Sequence, residues 1–420
     1  MFFICSSEIA HAGASESIIE TKIVANDASA DDTFGSSVAI RGNTLVIGAQ
    51  RTYDLGAESG SAYVFQRTNG LWSQTAKLTA SDGEAFSNFG RDVAISEDED
   101  TIVIGAFTWN KAYVFNRVGT SWTEAAKLTP DDVAIGDGFG ISVDISGGTI
   151  AVGAYNDDDD GSDSGSVYIF SLVSNNWIQK EKLRASDAAP DENFGRKLKL
   201  SGDTLVVGIR SSIGSTHKGS AYIFERNGGQ WTETTKLTAI DGRVDDGFGA
   251  AVGISEDQST VIVSAIRAID SGTGAVYVFS RSGLSWLQQA KLMPGVISQV
   301  AGYGSDVAVS GDIAVVSAPF DDVGALTDAG SAFVYSRSST LWSELYKLTA
   351  SDAAAYDHFG GSGAGKGVNV FGSLIAVSSF EDDDAGSRSG SVYVYAMESD
   401  IEDFPWELFL PAIIKGAQLR

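Results

Sequence analysis

Short segments of alternating apolar and polar residues, separated by polar, glycine-rich loops, run from about residue 17 to residue 396. In the first set, "SSVAI" and "TLVIGA" flank the turn Arg41-Gly42-Asn43, "SAYVF" follows a polar loop, and "WSQTAKLT" follows Asn69-Gly70. This punctuation predicts four short strands. In the second, Leu45 with Ile47 and Val46 with Gly48 are all apolar or small, so both faces are expected to be buried. The third places Tyr63 and Phe65 on one face and Ala62 and Val64 on the other, a large face able to stack on a small one. The fourth is expected to hold Trp72, Ala76 and Leu78 on one face and Ser73, Thr75, Lys77 and Thr79 on the other. That is the pattern of a half-exposed outermost strand, with a lysine discouraging edge pairing.

The set is repeated. Phe-Gly recurs at Phe34, Phe89, Phe139, Phe194, Phe248 and Phe359, with Tyr303-Gly304 as a variant, at intervals of 50 to 56 residues. Trp72, Trp122, Trp177, Trp231, Trp286 and Trp342 each precede a lysine by five positions and follow an aromatic by seven. Seven units of four strands, apolar on both faces, bury themselves best as a ring of radial sheets. The expected fold is therefore all-β: a seven-bladed β-propeller of four-stranded antiparallel blades. After Tyr395 the Trp-to-Lys register is missing, whereas "SIIETKIVANDASADD" near the N-terminus matches "WSQTAKLTASD". Residues 17–27 are thus expected to close the last blade beside Gly390–Tyr395. The division follows as 1–16 (N-terminal segment), 17–396 (propeller) and 397–420 (C-terminal tail).

Composition narrows the partners. A formal net charge of -26 repels phosphate backbones and anionic lipid, so nucleic acid is not an expected partner. The single Cys5 allows no intramolecular disulfide. "MFFICSSEIAHAGAS" reads equally as the remnant of a signal peptide or as a plain terminus. The apolar run Leu408 to Ile414 is far shorter than the roughly 20 residues of a membrane span.

Phe-Gly, a Val-Ala-Ile strand, "VIGA" or "VSAP", then "GSAYVF" resembles the FG-GAP repeat, the blade unit of the integrin alpha-chain β-propeller and of bacterial surface proteins. The resemblance covers about residues 17 to 396. It implies an extracellular seven-bladed propeller that binds a protein or glycan through loops on one face; the expected location is secreted, cell-surface or periplasmic, and the expected state a monomer. Only "VSAP" carries the full Ala-Pro ending, and the family's calcium loop is absent between the first two strands, so calcium binding does not carry over.

No catalytic motif accompanies His11, His217 or His358, which read as loop residues. The expected function is a non-enzymatic binding or adhesion module. The alternative is a polysaccharide hydrolase or lyase working in the axial pocket, for which exposed loop aromatics such as Tyr53 and Trp109, placed between third and fourth strands, would matter. Acidic loops either solvate the surface or bind a cation. Asn156-x-Asp158-x-Asp160-Gly161 has the first, third, fifth and sixth positions of a calcium loop, but Ser164 and Val167 stand at the ninth and twelfth. Weak Ca2+ binding at Asn156, Asp158 and Asp160 is the most this spacing implies.

Overall fold

The computed structural model describes residues 6–9, 18–210, 218–268, 273–298, 301–361 and 365–397. Seven antiparallel sheets are arranged in a ring. Strands are named a to d from the axis outward. Blade 1 comprises Phe34–Arg41, Thr44–Ala49, Ser61–Thr68 and Leu71–Leu78, and blades 2 to 6 repeat this order. Each a strand touches the next, and that of blade 7 touches that of blade 1, so the ring is closed.

Blade 7 takes its a, b and c strands from Val368–Phe371, Leu374–Ser379 and Ser391–Met397. Its d strand is Ile18–Ile23, paired antiparallel from Ile18↔Met397 to Ile23↔Val392. The expected closure is what the fold contains. Ser6–Ile9 adds a fifth strand outside it, pairing Ser6↔Thr21 to Ile9↔Ile18; sequence alone gave no sign of that strand.

Seven apolar clusters fill the seven gaps between blades. Between blades 7 and 1, the large face bearing Phe34, Tyr63 and Phe65 packs on Val392, Val394 and Ala396. Ala62 and Val64, on the other face, meet Phe89, Tyr113 and Phe115 of blade 2. Phe34 contacts Tyr63 edge-on at 5.3 Å, and the other blades repeat this aromatic contact. The glycine after the phenylalanine has a spatial reason. A Cβ on Gly90 would lie 2.3 Å from the Ser61 carbonyl of blade 1, and its φ is +90°, a conformation that favours glycine.

The d strand corrects one expectation. A β-bulge between Gln74 and Ala76 reverses the alternation, so Trp72 and Leu78 lie on opposite faces. Trp72 packs toward blade 7 and Leu78 toward blade 2. An extra residue in one strand shifts every later side chain to the other face. The same bulge occurs in blades 2 to 6.

Candidate functional site

Three regions could carry function: the axis, the acidic loops, and the face formed by the b–c and d–a loops.

The axis is occupied by protein. Just before blade 7's first strand, Gly365 and Lys366 pair with blade 1, Gly365 donating to Ser36 O at 2.9 Å and Val38 to Lys366 O at 2.9 Å. Lys366 Nζ then donates to Val143 O at 2.8 Å and Val93 O at 3.0 Å and lies 3.3 Å from Asp92. Burial acts to lower its pKa, but Asp92 and Asp144 outweigh this and hold it above the ordinary lysine value. One ammonium therefore ties blades 7, 2 and 3 together. Asp306 accepts from Gly367 N and Val368 N, Lys197 donates to Gly365 O, and Lys199 lies 3.4 Å from Asp144. Three aspartates and three lysines thus share the channel. At its lower end Arg41 lies 3.5 Å from Glu97 and 3.6 Å from Glu256. The cavities left beside the plug measure about 60 and 30 Å3, too small for a sugar ring. The upper mouth, between blades 4 and 6, opens into a larger space of about 410 Å3.

The acidic loops are largely neutralised by the recurrent lysine of strand d. Lys182 Nζ lies 2.9 Å from Asp132, 2.8 Å from Asp157 and 2.7 Å from Asp159, and 5.1 Å above the Tyr168 ring. Lys22 repeats this with Asp352, Asp382 and Asp384, Lys77 with Asp27 and Asp54, and Lys127 with Asp82. Burial alone would raise Asp54 and Asp352; their lysines outweigh it and hold both below the usual carboxylate range. Of the three proposed calcium ligands, Asn156 donates its amide to Gly136 O. Asp158 accepts from Asp163 N, and Asp160 pairs with Arg184 at 3.0 Å. Among the described residues no three His, Cys, Asp or Glu side chains form a group placed for a metal ion. Within this loop Asp157 and Asp159, not Asp158 and Asp160, converge with Asp132 on Lys182.

A second device between blades has no fixed residue identity. In each d strand a Gln or Glu accepts from a backbone N–H of the preceding d–a loop: Gln74 from Asn26, Glu124 from Ser81, Gln179 from Asp131, Glu233 from Ser186, Gln288 from Ile240, Glu344 from Gly295 and Glu20 from Ser351.

The loop face is where large apolar side chains stand exposed together. Tyr53 and Trp109 lie between the second and third strands, not the third and fourth, because the c and d strands are joined by tight hairpins. Trp109, in a 3-10 turn Phe107–Trp109, is 44% exposed and Phe86 55%. Trp109 Nε1 donates to Ala85 O, Phe86 N to Ala57 O, and Leu55 packs against Gly83. Asn110 donates to Ala134 O, which brings exposed Val133 and Ile135 alongside. The result is an apolar ridge of exposed side chains on the loops of blades 1 to 3. His358 is not a solvated loop residue: it bonds Glu381 at 2.7 Å and meets Phe320 edge-on. His11 and His217 lie outside the described residues.

Comparisons with known proteins agree on the fold. The chain resembles the β-propeller domain of Cps50 (Swd1) from Myceliophteria thermophila, with a TM-score of 0.56 and 10% identity over 90% of this chain and 99% of that one. It also resembles U3-55K, with a TM-score of 0.57 and 9% identity over 90% and 98%. No curated protein matches it by sequence. The family model of the FG-GAP repeat matches seven times, at residues 19–65, 72–115, 122–170, 177–224, 231–279, 286–335 and 342–395. Each match begins in one blade's d strand and ends in the next blade's c strand, the offset that the N-terminal closure requires. With its seven matched copies arranged as seven blades, the chain belongs to the FG-GAP repeat family.

Proposed function

We propose that the protein is a non-enzymatic binding module, secreted or surface-exposed, that docks another protein on the ridge formed by Tyr53, Leu55, Phe86, Trp109, Val133 and Ile135. The observation that carries this reading is the contrast between a plugged axis and an exposed apolar ridge. Contiguous exposed apolar surface with a polar rim marks interaction sites, and aromatic side chains dominate interface energetics. The net charge of -26 favours a partner whose contact surface carries lysine and arginine around an apolar centre. Of the two ligand classes the family suggests, protein and glycan, the apolar breadth of the ridge favours protein. The hydrolase or lyase alternative has no support in the axis, whose carboxylates Asp92, Asp144 and Asp306 are bonded to backbone amides.

The test is a photo-crosslinking amino acid placed at position 109, compared with one at Leu284, an 88% exposed hairpin tip at the opposite end of the blades. One recurring protein adduct from position 109, absent from 284 and weakened by 0.5 M salt, is the expected result. Adducts that do not differ between the two positions contradict the reading.

A further inference from the structure

The repeat carries its own internal control. A position that the fold needs is filled alike in all seven blades, so a blade that departs alone points to another requirement. Blade 4 departs in carrying a cation at each of four positions around the axial mouth, a combination found in no other blade. Where Arg196 stands, the other blades have Ser36, Arg91, Ile141, Ala250, Ser305 and Lys366; where Lys197 stands, they have Ser37, Asp92, Ser142, Ala251, Asp306 and Gly367. Lys199 replaces small, acidic or amide residues, and Arg210 replaces Gln50, Phe107, Tyr155, Ile266, Pro319 and Phe380. Only blade 4 is basic at all four.

Lys197 and Lys199 are used by the axial network described above. Arg196 and Arg210 are not. Arg196 lies over the Tyr155 ring at 5.6 Å, and neither guanidinium has a carboxylate partner or a side-chain hydrogen bond among the described residues. Both line the 410 Å3 cavity at the upper mouth, together with Lys197, Ile266, Ser305 and Phe320. Burial and the charges of Arg196 and Arg267 push Arg210 below its ordinary value, so the neighbouring cations disfavour one another. Glu192 also lines the cavity; its carboxylate accepts from Ala189 N.

We infer that this cavity binds a small organic carboxylate, about one sugar ring in size, whose anionic group is gripped by Arg196 and Arg210. A guanidinium fork matches a carboxylate bidentately. The volume falls in the range of about 300–1,000 Å3 typical of small-ligand sites. Ile266 and Phe320 supply an apolar wall for the body of the ligand. In a chain with a net charge of -26, this cup gathers Arg196, Lys197 and Arg210 at one place, which favours an anion. It lies across the mouth from the apolar ridge and does not depend on it.

The experiment is titration calorimetry at low salt with glucuronate, with glucose as the neutral control and sodium sulfate as the bare anion. Glucuronate is expected to bind and glucose not to bind, with at least ten-fold weakening in the Arg196→Gln/Arg210→Gln variant and none in Arg51→Gln. Melting curves confirm that both variants are folded. The inference is overturned if glucuronate gives no more heat than glucose, if the double variant binds equally well, or if sulfate binds and glucuronate does not.

Discussion

The hydroxyl of Tyr395 donates a 2.9 Å hydrogen bond to the carboxylate of Glu20, 375 positions earlier in the chain. Glu20 also holds Ser351 Oγ at 2.6 Å, and burial raises its pKa. One side chain of the N-terminal strand thus fastens blade 7 and the loop leading into it.

Removing that hydroxyl leaves a buried carboxylate short of a donor. Tyr395→Phe is expected to cost about 1–3 kcal/mol, measured by urea unfolding. Deleting residues 1–27 is expected to do more, since it exposes the whole c strand of blade 7 as an unpaired edge and leads to aggregation. A truncated protein that stayed monomeric with an unchanged melting temperature would rule out closure by this strand.

Trp231 is buried among Leu205, Val207, Tyr222 and Phe224, with the Arg226 guanidinium 5.4 Å above its ring. Its replacement by alanine is expected to cost about 3–5 kcal/mol, and Trp122→Ala less, because Trp122 is only half-buried. Chemical denaturation of the two variants checks the order; equal losses would contradict it.

Asp357 provides a pH test. Burial and the nearby Asp382 and Asp383 push its carboxyl up to about 6, against about 3.9 in an unfolded chain. The folded protein therefore holds this proton more tightly. The associated stability is complete below about pH 4 and is lost as pH rises through about 6. Asp357→Asn, which keeps an acceptor for Ala354 N, is expected to match the parent at pH 4 and exceed it by on the order of 1–2 kcal/mol at pH 8. A gain equal at both pH values would show that this carboxyl is not the cause.

Calcium at Asn156, Asp158 and Asp160 stays a proposal with a direct test. Millimolar calcium is expected to raise the melting temperature slightly, and Asp158→Asn/Asp160→Asn to remove that gain. Since Lys182 already supplies a counter-charge to Asp157 and Asp159, Lys182→Gln is expected to lower stability and enlarge the calcium response. A melting curve unmoved by calcium or chelator in both proteins leaves the loop without a metal role.

Strand number, blade number and closure were legible because each depends on residues that recur in register, such as Phe34, Trp72 and Lys77. The faces of the d strand were not, because the bulge at Thr75 inserts a residue without changing the apparent alternation. The Gln or Glu latch escaped notice because Gln74, Glu124 and Gln179 differ in charge while sharing one acceptor oxygen. The axial plug was invisible for a different reason: Lys366 sits in a segment longer than its counterparts, and nothing local says that it pairs with blade 1. The basic cluster of blade 4 could have been found, since Arg196, Lys197, Lys199 and Arg210 break a pattern that the other copies define.

The central claim is that the protein partner docks on the loop-face ridge and not on the plugged axial channel. The most direct measurement compares two variants for retention of the protein captured from position 109. Phe86→Ser/Trp109→Ser alters the ridge, and Lys199→Met alters the axial channel while Asp144 keeps its bond from Leu200 N. With both variants confirmed folded, the ridge variant is expected to lose at least ten-fold in affinity and the axial variant to bind like the parent. Undiminished binding by the ridge variant, with loss in the axial one, would contradict the account.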